Sequence, residues 1–174
     1  MIFPELKNIK IFSRLNSTQK DLLKEKDFIF LLSLMIIDET DNADYFLYKF
    51  NISNKDKKRI KSIDNFFKEK IDSKLFTKNN MDKIFYYQGK EITLDILSHK
   101  IIKSKKADNS LKELIKYYEK KITPIMPVNA DFLMKKYKIP EGKQLGDKLR
   151  IIEDQWVKNN FKISDKDVDN IVNS

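Results

Sequence analysis

Few residues in this sequence have types and spacings that could do chemistry, and the chemistry that those few could do is phosphate binding. Two of the three glycines, Gly142 and Gly146, lie four residues apart at the start of a predicted helix. Glycine costs a helix up to about 1 kcal/mol relative to alanine, so the pair predicts that another group comes close to this backbone. We favour a neighbouring helix on the sequence alone. The other candidate is a phosphate, attracted by the free N–H groups of a helix N-terminus.

The basic residues fall into two groups, because the helix dipole stabilises cations only near helix C-termini. Lys103, Lys105 and Lys106 lie at a predicted C-terminus and need no ligand. The second group lies at helix beginnings or continues the glycine line, where folding gains nothing from a cation. Its members are Lys55, Lys57, Lys58, Arg59, Lys61, Lys143 and Arg150. We predict that this second group, with Gly142 and Gly146, contacts phosphates; a merely solvated lysine surface is the alternative.

Sequence signatures of catalysis and of metal binding are absent. His99 is the only histidine, so a histidine-based metal site or triad lacks a second member, and we expect a surface or partly buried helix residue. The segment "DETDNAD" at 38–44 lacks the glycine and final glutamate of a calcium loop. In "DKDVD" at 165–169 the carboxylates should diverge around a helix start. We therefore predict no catalytic residue and no metal ligand in this chain.

The composition indicates a globular protein of the cytoplasm. Charged residues make up 35% of the 174 residues, and the lack of cysteine fits a reducing compartment. A net charge of +9 favours a polyanionic partner, although nearly all of it is lysine. The longest apolar run, 28–37, is too short to cross a bilayer, and no leader peptide is recognisable at the N-terminus. We expect no membrane partner.

Hydrophobic periodicity and helix-capping residues predict an all-α chain. One helix is predicted over the long apolar-periodic run that follows Ser17 and reaches about Asp38. Further helices should begin at Asp41 or Asn42 and at Ser53, with the last of these reaching about residue 71. Gly89 should interrupt the helical sequence that follows, and another helix is predicted at 109–122. These elements form a predicted helical body at 1–122.

A small helical tail domain is predicted at 130–174, after a proline-containing linker at 123–129. Its helices should cover about 130–138 and 141–158, with a last one capped by Ser164 and Asp167. In the long tail helix one apolar stripe should face a core. The stripe consists of Leu145, Leu149, Ile152 and Trp156.

These tail residues resemble a known family. The segments "PVNADFLM" at 127–134, "GKQLGDKL" at 142–149 and "IEDQW" at 152–156 are similar to the C-terminal tail of bacterial CCA-adding tRNA nucleotidyltransferases and of the related bacterial poly(A) polymerases. Weaker similarity to the body of those enzymes is found in "IFPEL" at 2–6, "LLSLMI" at 31–36 and "FNISNKDKKRI" at 50–60. The resemblance implies a curved multi-helix array, the body, followed by the tail.

The resemblance also implies a function. In this family the body and tail hold tRNA by its acceptor and T stems, mostly through the backbone, while a separate head binds Mg and CTP or ATP. The Gly-Ser segment and strand-borne D-x-D pair of that head have no counterpart here, and Glu153-Asp154 is followed by Val157 where the neck motif E-D-x-x-R needs arginine. We therefore expect an RNA-binding portion, inactive by itself and without a cofactor of its own, whose partner is tRNA or other structured RNA. It would be either a fragment of such an enzyme or a separately encoded half, and in the second case a separately encoded head would be a further partner.

A second hypothesis is a helical protein–protein interaction module without an RNA role. Three aromatic pairs, Phe66-Phe67, Tyr86-Tyr87 and Tyr117-Tyr118, could supply its surface, although one member of each is expected in the core. An intact enzyme is the least expected alternative. Whether the parent enzyme adds CCA or poly(A) is left open, since that choice depends on the head.

Overall fold

The computed structural model describes residues 5–69, 73–104 and 108–173. Within these ranges all regular structure is helical and no strand is present, which confirms the predicted all-α class. Two 3-10 helices cover Lys7–Arg14 and Ser73–Phe76. The α-helices of the described residues are α1 (Ser17–Lys24), α2 (Phe28–Ile36), α3 (Asn42–Lys49), α4 (Asn54–Lys68), α5 (Lys78–Lys103), α6 (Asn109–Lys120), α7 (Ala130–Tyr137), α8 (Lys143–Lys158) and α9 (Asp165–Asn173).

The apolar run near the N-terminus forms two helices, so the predicted single helix from Ser17 to Asp38 is wrong. Asn16 caps α1: its side chain accepts from the Gln19 N–H at 2.9 Å, and the Gln19 side chain accepts from the Asn16 N–H at 3.0 Å. A second cap follows at Asp27, whose carboxylate accepts from the Phe30 N–H at 2.9 Å. Because an N-cap residue has extended backbone angles, Asp27 separates α1 from α2.

The chain divides into two compact units, Met1–Lys121 and Ile122–Ser174. In the first unit one apolar core lies between α2, α3, α4, α5 and α6, with Ile36, Ile63 and Leu97 completely buried. Tyr118 is also fully buried, and its hydroxyl donates to Asp82 at 2.6 Å. This hydrogen bond satisfies the polar end of a large core side chain, which would otherwise be costly to bury.

Two local predictions in the first unit are confirmed. Ser53 caps α4, with its hydroxyl accepting from the Asp56 N–H at 3.2 Å, although α4 ends at Lys68. Gly89 has φ 84° and ψ 175° inside α5, so the helix is interrupted there. Glycine adopts this positive φ at little steric cost.

The second unit has a core of its own. Leu145, Ile152 and Trp156 are at most 5% exposed and Leu149 packs on the same core, which confirms the predicted stripe of α8. The chain at 123–129, the predicted linker, contains no helix. Val128 is nevertheless buried in the core of the second unit, so the end of this stretch belongs to that unit.

Candidate nucleic-acid interface

The beginning of α8 is open to solvent, which overturns the predicted close helix contact at the two glycines. A Cβ atom added to Gly142 or Gly146 would meet no heavy atom within 4 Å. Gly142 is explained by its backbone instead: it is the N-cap of α8 with φ 142°, where residues with a side chain are strained. Gly146 lies inside α8, and no neighbouring group in the described structure requires a glycine there.

An exposed basic face of α8 accompanies these glycines. Gly142, Gly146 and Arg150 follow one another at intervals of four residues, so they lie on one side of the helix. Lys143 and Arg150 are both exposed and form no ion pair with a described residue. The N-terminal N–H groups of α8 have no side-chain cap. This face, which we call the α8 face, can therefore approach an anion without losing an internal contact.

A second exposed basic face lies on α4. Lys55, Lys58 and Lys61 are exposed and Lys57 is half-buried. Lys61 lies 3.8 Å from Asp44, whereas Lys55, Lys57 and Lys58 form no ion pair with any residue that the structure describes. These four lysines, which we call the α4 lysines, surround the first two turns of the helix, so they carry positive charge at the end where the helix dipole does not stabilise it.

Arg59 is the exception within this run, and the structure corrects its assignment. It is 6% exposed, and its Nε lies 2.7 Å from a carboxylate oxygen of Asp95, which is itself only 2% exposed. The guanidinium also pairs with Asp27, and with Glu91 at 3.2 Å. Burial alone would lower the pKa of Arg59, but the hydrogen bonds to Asp95 and Asp27 outweigh it and raise that pKa above its usual value. Arg59 thus joins α2, α4 and α5 and is not free to contact RNA.

Lys103 has a hydrogen-bond partner within the protein. It is the last residue of α5, and its ammonium donates to the backbone oxygen of Ile37 at 2.6 Å. Burial lowers the pKa of Lys103 below its usual value. Lys105 and Lys106 lie outside the described residues.

His99 is completely buried, so the expectation of a surface or partly buried residue is wrong. Its ring lies 4.9 Å from that of Phe67 and 6.3 Å from that of Phe30, measured between centroids. Neither ring nitrogen has a hydrogen-bond partner of ordinary geometry among the described residues. Burial, with a smaller contribution from the charge of Lys103, lowers the pKa of His99 to about 3. The imidazole is therefore a neutral core side chain at physiological pH.

Two aspartates of the acidic segment "DKDVD" have hydrogen-bond partners within the protein. In "DKDVD" the Asp167 carboxylate accepts from the hydroxyl and the N–H of Ser164 at the start of α9, while Asp169 accepts from the Tyr137 hydroxyl. The Ser164 hydrogen bonds lower the pKa of Asp167. Among described residues no group of three or more His, Cys, Asp or Glu side chains is placed to hold a metal ion. None of the helices in the described ranges is long and apolar enough to cross a bilayer.

A groove of about 700 Å³ lies in the first unit beside the end of α5. Its charged lining residues are Lys10, Arg14, Asp38, Glu39 and Lys103. Gln19 also lines it, and its amide donates to three backbone carbonyls at the end of α5 over 2.9–3.2 Å. Because both signs of charge line the groove, its chemistry does not select a polyanion.

One group of surface residues, the aromatic side chains of α3, is not among the residues predicted from the sequence. Tyr48 is 91% exposed and Tyr45 is 44% exposed, whereas Ala43 and Leu47 of the same helix are buried. The signal was present in "ADYFLYKF": the two tyrosines lie three residues apart, and the buried pair lies four apart on the other side.

A comparison with protein families identifies the chain. The family model of tRNA nucleotidyltransferase domain 2 matches residues 21–168. The chain belongs to this tRNA nucleotidyltransferase family. The matched residues include most of both compact units. The α4 lysines and the α8 face both lie within the matched range. Neither a curated protein nor a solved structure matches the chain.

Proposed function

We propose that this chain is the RNA-binding portion of a CCA-adding tRNA nucleotidyltransferase or of a related bacterial poly(A) polymerase, and that it acts in tRNA 3′-end processing in the cytoplasm. The observation that carries the proposal is the pair of exposed basic surfaces in a member of this family. Lys55, Lys57 and Lys58 on α4, and Lys143 and Arg150 on α8, have no acidic partner among described residues. Folding does not account for these cations, so a polyanion is the partner that their positions favour.

Structured RNA suits these surfaces better than a small anion does. Double-stranded RNA is recognised mostly by its shape and by contacts to phosphates and 2′-hydroxyls. The proposed contacts are the ammonium groups of the α4 lysines and, on the α8 face, Lys143, Arg150 and the open backbone at Gly142 and Gly146. Each contact adds affinity that depends on salt and carries little sequence information.

Nucleotide transfer is not part of this proposal for the chain alone. We assign it to a head on the same or a separate polypeptide, where Mg and CTP or ATP would bind. Ile122 and Ile125, which are 85% and 89% exposed, offer apolar surface for such a protein partner. A protein-interaction role without RNA is the second candidate, and these two isoleucines are the observation that favours it.

The test is a filter-binding titration of the purified chain with labelled tRNA at several salt concentrations. We expect retention at low salt and an affinity that falls steeply as salt rises. Replacing Lys143 and Arg150 together by alanine should flatten the slope of log K against log salt by roughly 1 to 2, because each phosphate contact contributes about 0.7 to 0.9.

The matched control is Lys158→Ala, since this exposed lysine lies at the last turn of the same helix, where the dipole stabilises a cation. It should leave the slope unchanged. The same preparation should incorporate no labelled CTP or ATP into tRNA. Failure to retain tRNA at low salt would refute the RNA-binding role, and incorporation of nucleotide would refute the assignment of catalysis to a head.

A further inference from the structure

We propose that the corner between α3 and α4 binds an unpaired nucleotide of an RNA, with its base stacked on Tyr48 and its phosphates against the α4 lysines. This inference rests on the proposed function and adds a specific substrate feature to it. The aromatic corner, as we call it, consists of Tyr45, Tyr48 and Phe50 together with those lysines.

Ion pairs fix how α3 lies along α4. Asp44, in the first turn of α3, lies 2.8 Å from Lys68 at the end of α4 and 3.8 Å from Lys61 at its middle. Asp41, just before α3, lies 3.4 Å from Lys68. The start of α3 is thus beside the end of α4, so the two helices run antiparallel across the short connection 50–53.

Tyr48 lies further along α3 than Asp44, in the direction of the N-terminal half of α4, where the α4 lysines lie. Tyr48 follows Asp44 by four residues on α3, and Lys57 precedes Lys61 by four residues on α4, so both steps are about one helical turn in the same direction. Residues four apart share a helix face, and Tyr48 therefore stands toward α4 as Asp44 does. Neither the Tyr48 ring nor the Lys57 ammonium has a partner among the described residues.

The exposure of Tyr48 distinguishes it from the other aromatic side chains of this corner. Phe50 packs against Phe46 with ring centroids 4.6 Å apart, and Tyr45 is more than half covered. Tyr48 leaves 91% of its surface in solvent, so its ring contributes little to the core. A ring that folding does not use, on a helix that packs beside the one carrying the α4 lysines, is available for a ligand.

An aromatic ring beside lysines matches single-stranded nucleic acid in particular. Every base has a π-face that can stack on an aromatic side chain, and the neighbouring phosphates are attracted by positive charge. The bases of a duplex are stacked inside the helix and cannot present that face. The ligand is therefore an unpaired base in a loop or at an end, whereas the paired stem contacts the lysines alone.

The experiment measures the affinity of the full chain for two fluorescently labelled RNAs by anisotropy at low salt. One is a blunt-ended RNA duplex, and the other is the same duplex with a four-nucleotide single-stranded 3′ overhang. Tyr48→Ala should weaken binding of the overhang RNA by roughly 5- to 100-fold, the range expected for losing one base–aromatic stack, and should leave binding of the blunt duplex unchanged. Tyr48→Trp should restore binding of the overhang RNA.

Phe28→Ala is the matched control, because Phe28 is 69% exposed but directly follows Asp27, whose carboxylate would repel a neighbouring phosphate. It should change neither affinity. If Tyr48→Ala binds both RNAs as the wild type does, or weakens both equally, the stacking site is refuted while the proposed function stands. If the wild-type chain binds neither RNA, the proposed function fails and this inference fails with it. Circular dichroism melting of each variant shows whether the fold is intact, as the exposure of Tyr48 predicts.

Discussion

Arg59 provides the sharpest test of how the structure divides the basic run of α4 into a structural and an RNA-binding part. Replacing Arg59 by alanine would leave the carboxylate of Asp95, 2% exposed, without its closest cation. Removing one partner of a buried ion pair costs about 3–5 kcal/mol, since the other charge stays desolvated. Lys26 remains 3.2 Å from Asp95 and offsets part of this loss. We therefore expect Arg59→Ala to lower the free energy of unfolding by about 3 kcal/mol, the lower end of that range.

The measurement is unfolding by urea and by heat, followed by circular dichroism at neutral pH. A loss of about 3 kcal/mol should lower the melting temperature by roughly 6–12 °C in a chain of this size. Adding Asp95→Asn to Arg59→Ala should recover part of the loss, because the amide removes the unpaired buried charge. The matched control is Lys58→Ala, which changes the adjacent exposed cation and should alter stability by less than about 0.5 kcal/mol.

RNA binding should show the opposite order for the same two variants. At a temperature where both are folded, Lys58→Ala should weaken retention of tRNA, and Arg59→Ala should bind as the wild type does. The reasoning is refuted if Arg59→Ala unfolds like the wild type yet loses tRNA, because Arg59 would then be a surface contact. Equal destabilisation by both variants would also refute it.

Two further predictions concern His99 and the glycines of α8. Between pH 7.5 and 5 the unfolded chain protonates its histidine, with a usual pKa near 6.5, while the folded chain does not until about pH 3, so stability falls as pH falls. This histidine should account for about 2 kcal/mol of that loss, and urea titrations of His99→Leu should show a loss smaller by that amount; an identical pH dependence would contradict the burial argument. Gly142→Ala should lower stability by about 1–3 kcal/mol because of its positive φ, whereas Gly146→Ala should raise it by about 0.5–1 kcal/mol. Thermal melts of both variants measure these changes in stability, and changes of the same sign would contradict the backbone geometry described for the two glycines. If a phosphate approaches Gly146, the Gly146→Ala variant also binds tRNA more weakly.

Much of the helical structure could be predicted from sequence because its determinants are local. The caps at Ser53 and Ser164 each depend on an aspartate three residues later, and both are present. The apolar stripe of α8 follows from a period of 3.6 residues. Capping also explains the one helix that was predicted wrongly. Asp27 is an N-cap inside the apolar run, so the predicted single helix is two helices.

The candidate site was only partly predictable. Lysines on the outer side of α4 and α8 follow from position within a helix, and Lys143 and Arg150 are exposed as that position suggests. The burial of Arg59, which removes it from the proposed RNA contacts, could not be predicted. Its partners Asp27 and Asp95 are 32 and 36 residues away along the chain. The sequence contains no local signal that pairs such distant residues.

By itself the sequence determined the all-α class, most helix boundaries, the core stripe of the tail and the resemblance that the family match supports, because each depends on residues within a few turns of one another. Only the tertiary structure decided which side chains are exposed where helices meet. It buried Arg59 and His99, exposed Tyr48, and left open space at Gly142 and Gly146. The physical reason is that burial and ion pairing are set by neighbours brought together from distant parts of the chain, which a local pattern cannot specify.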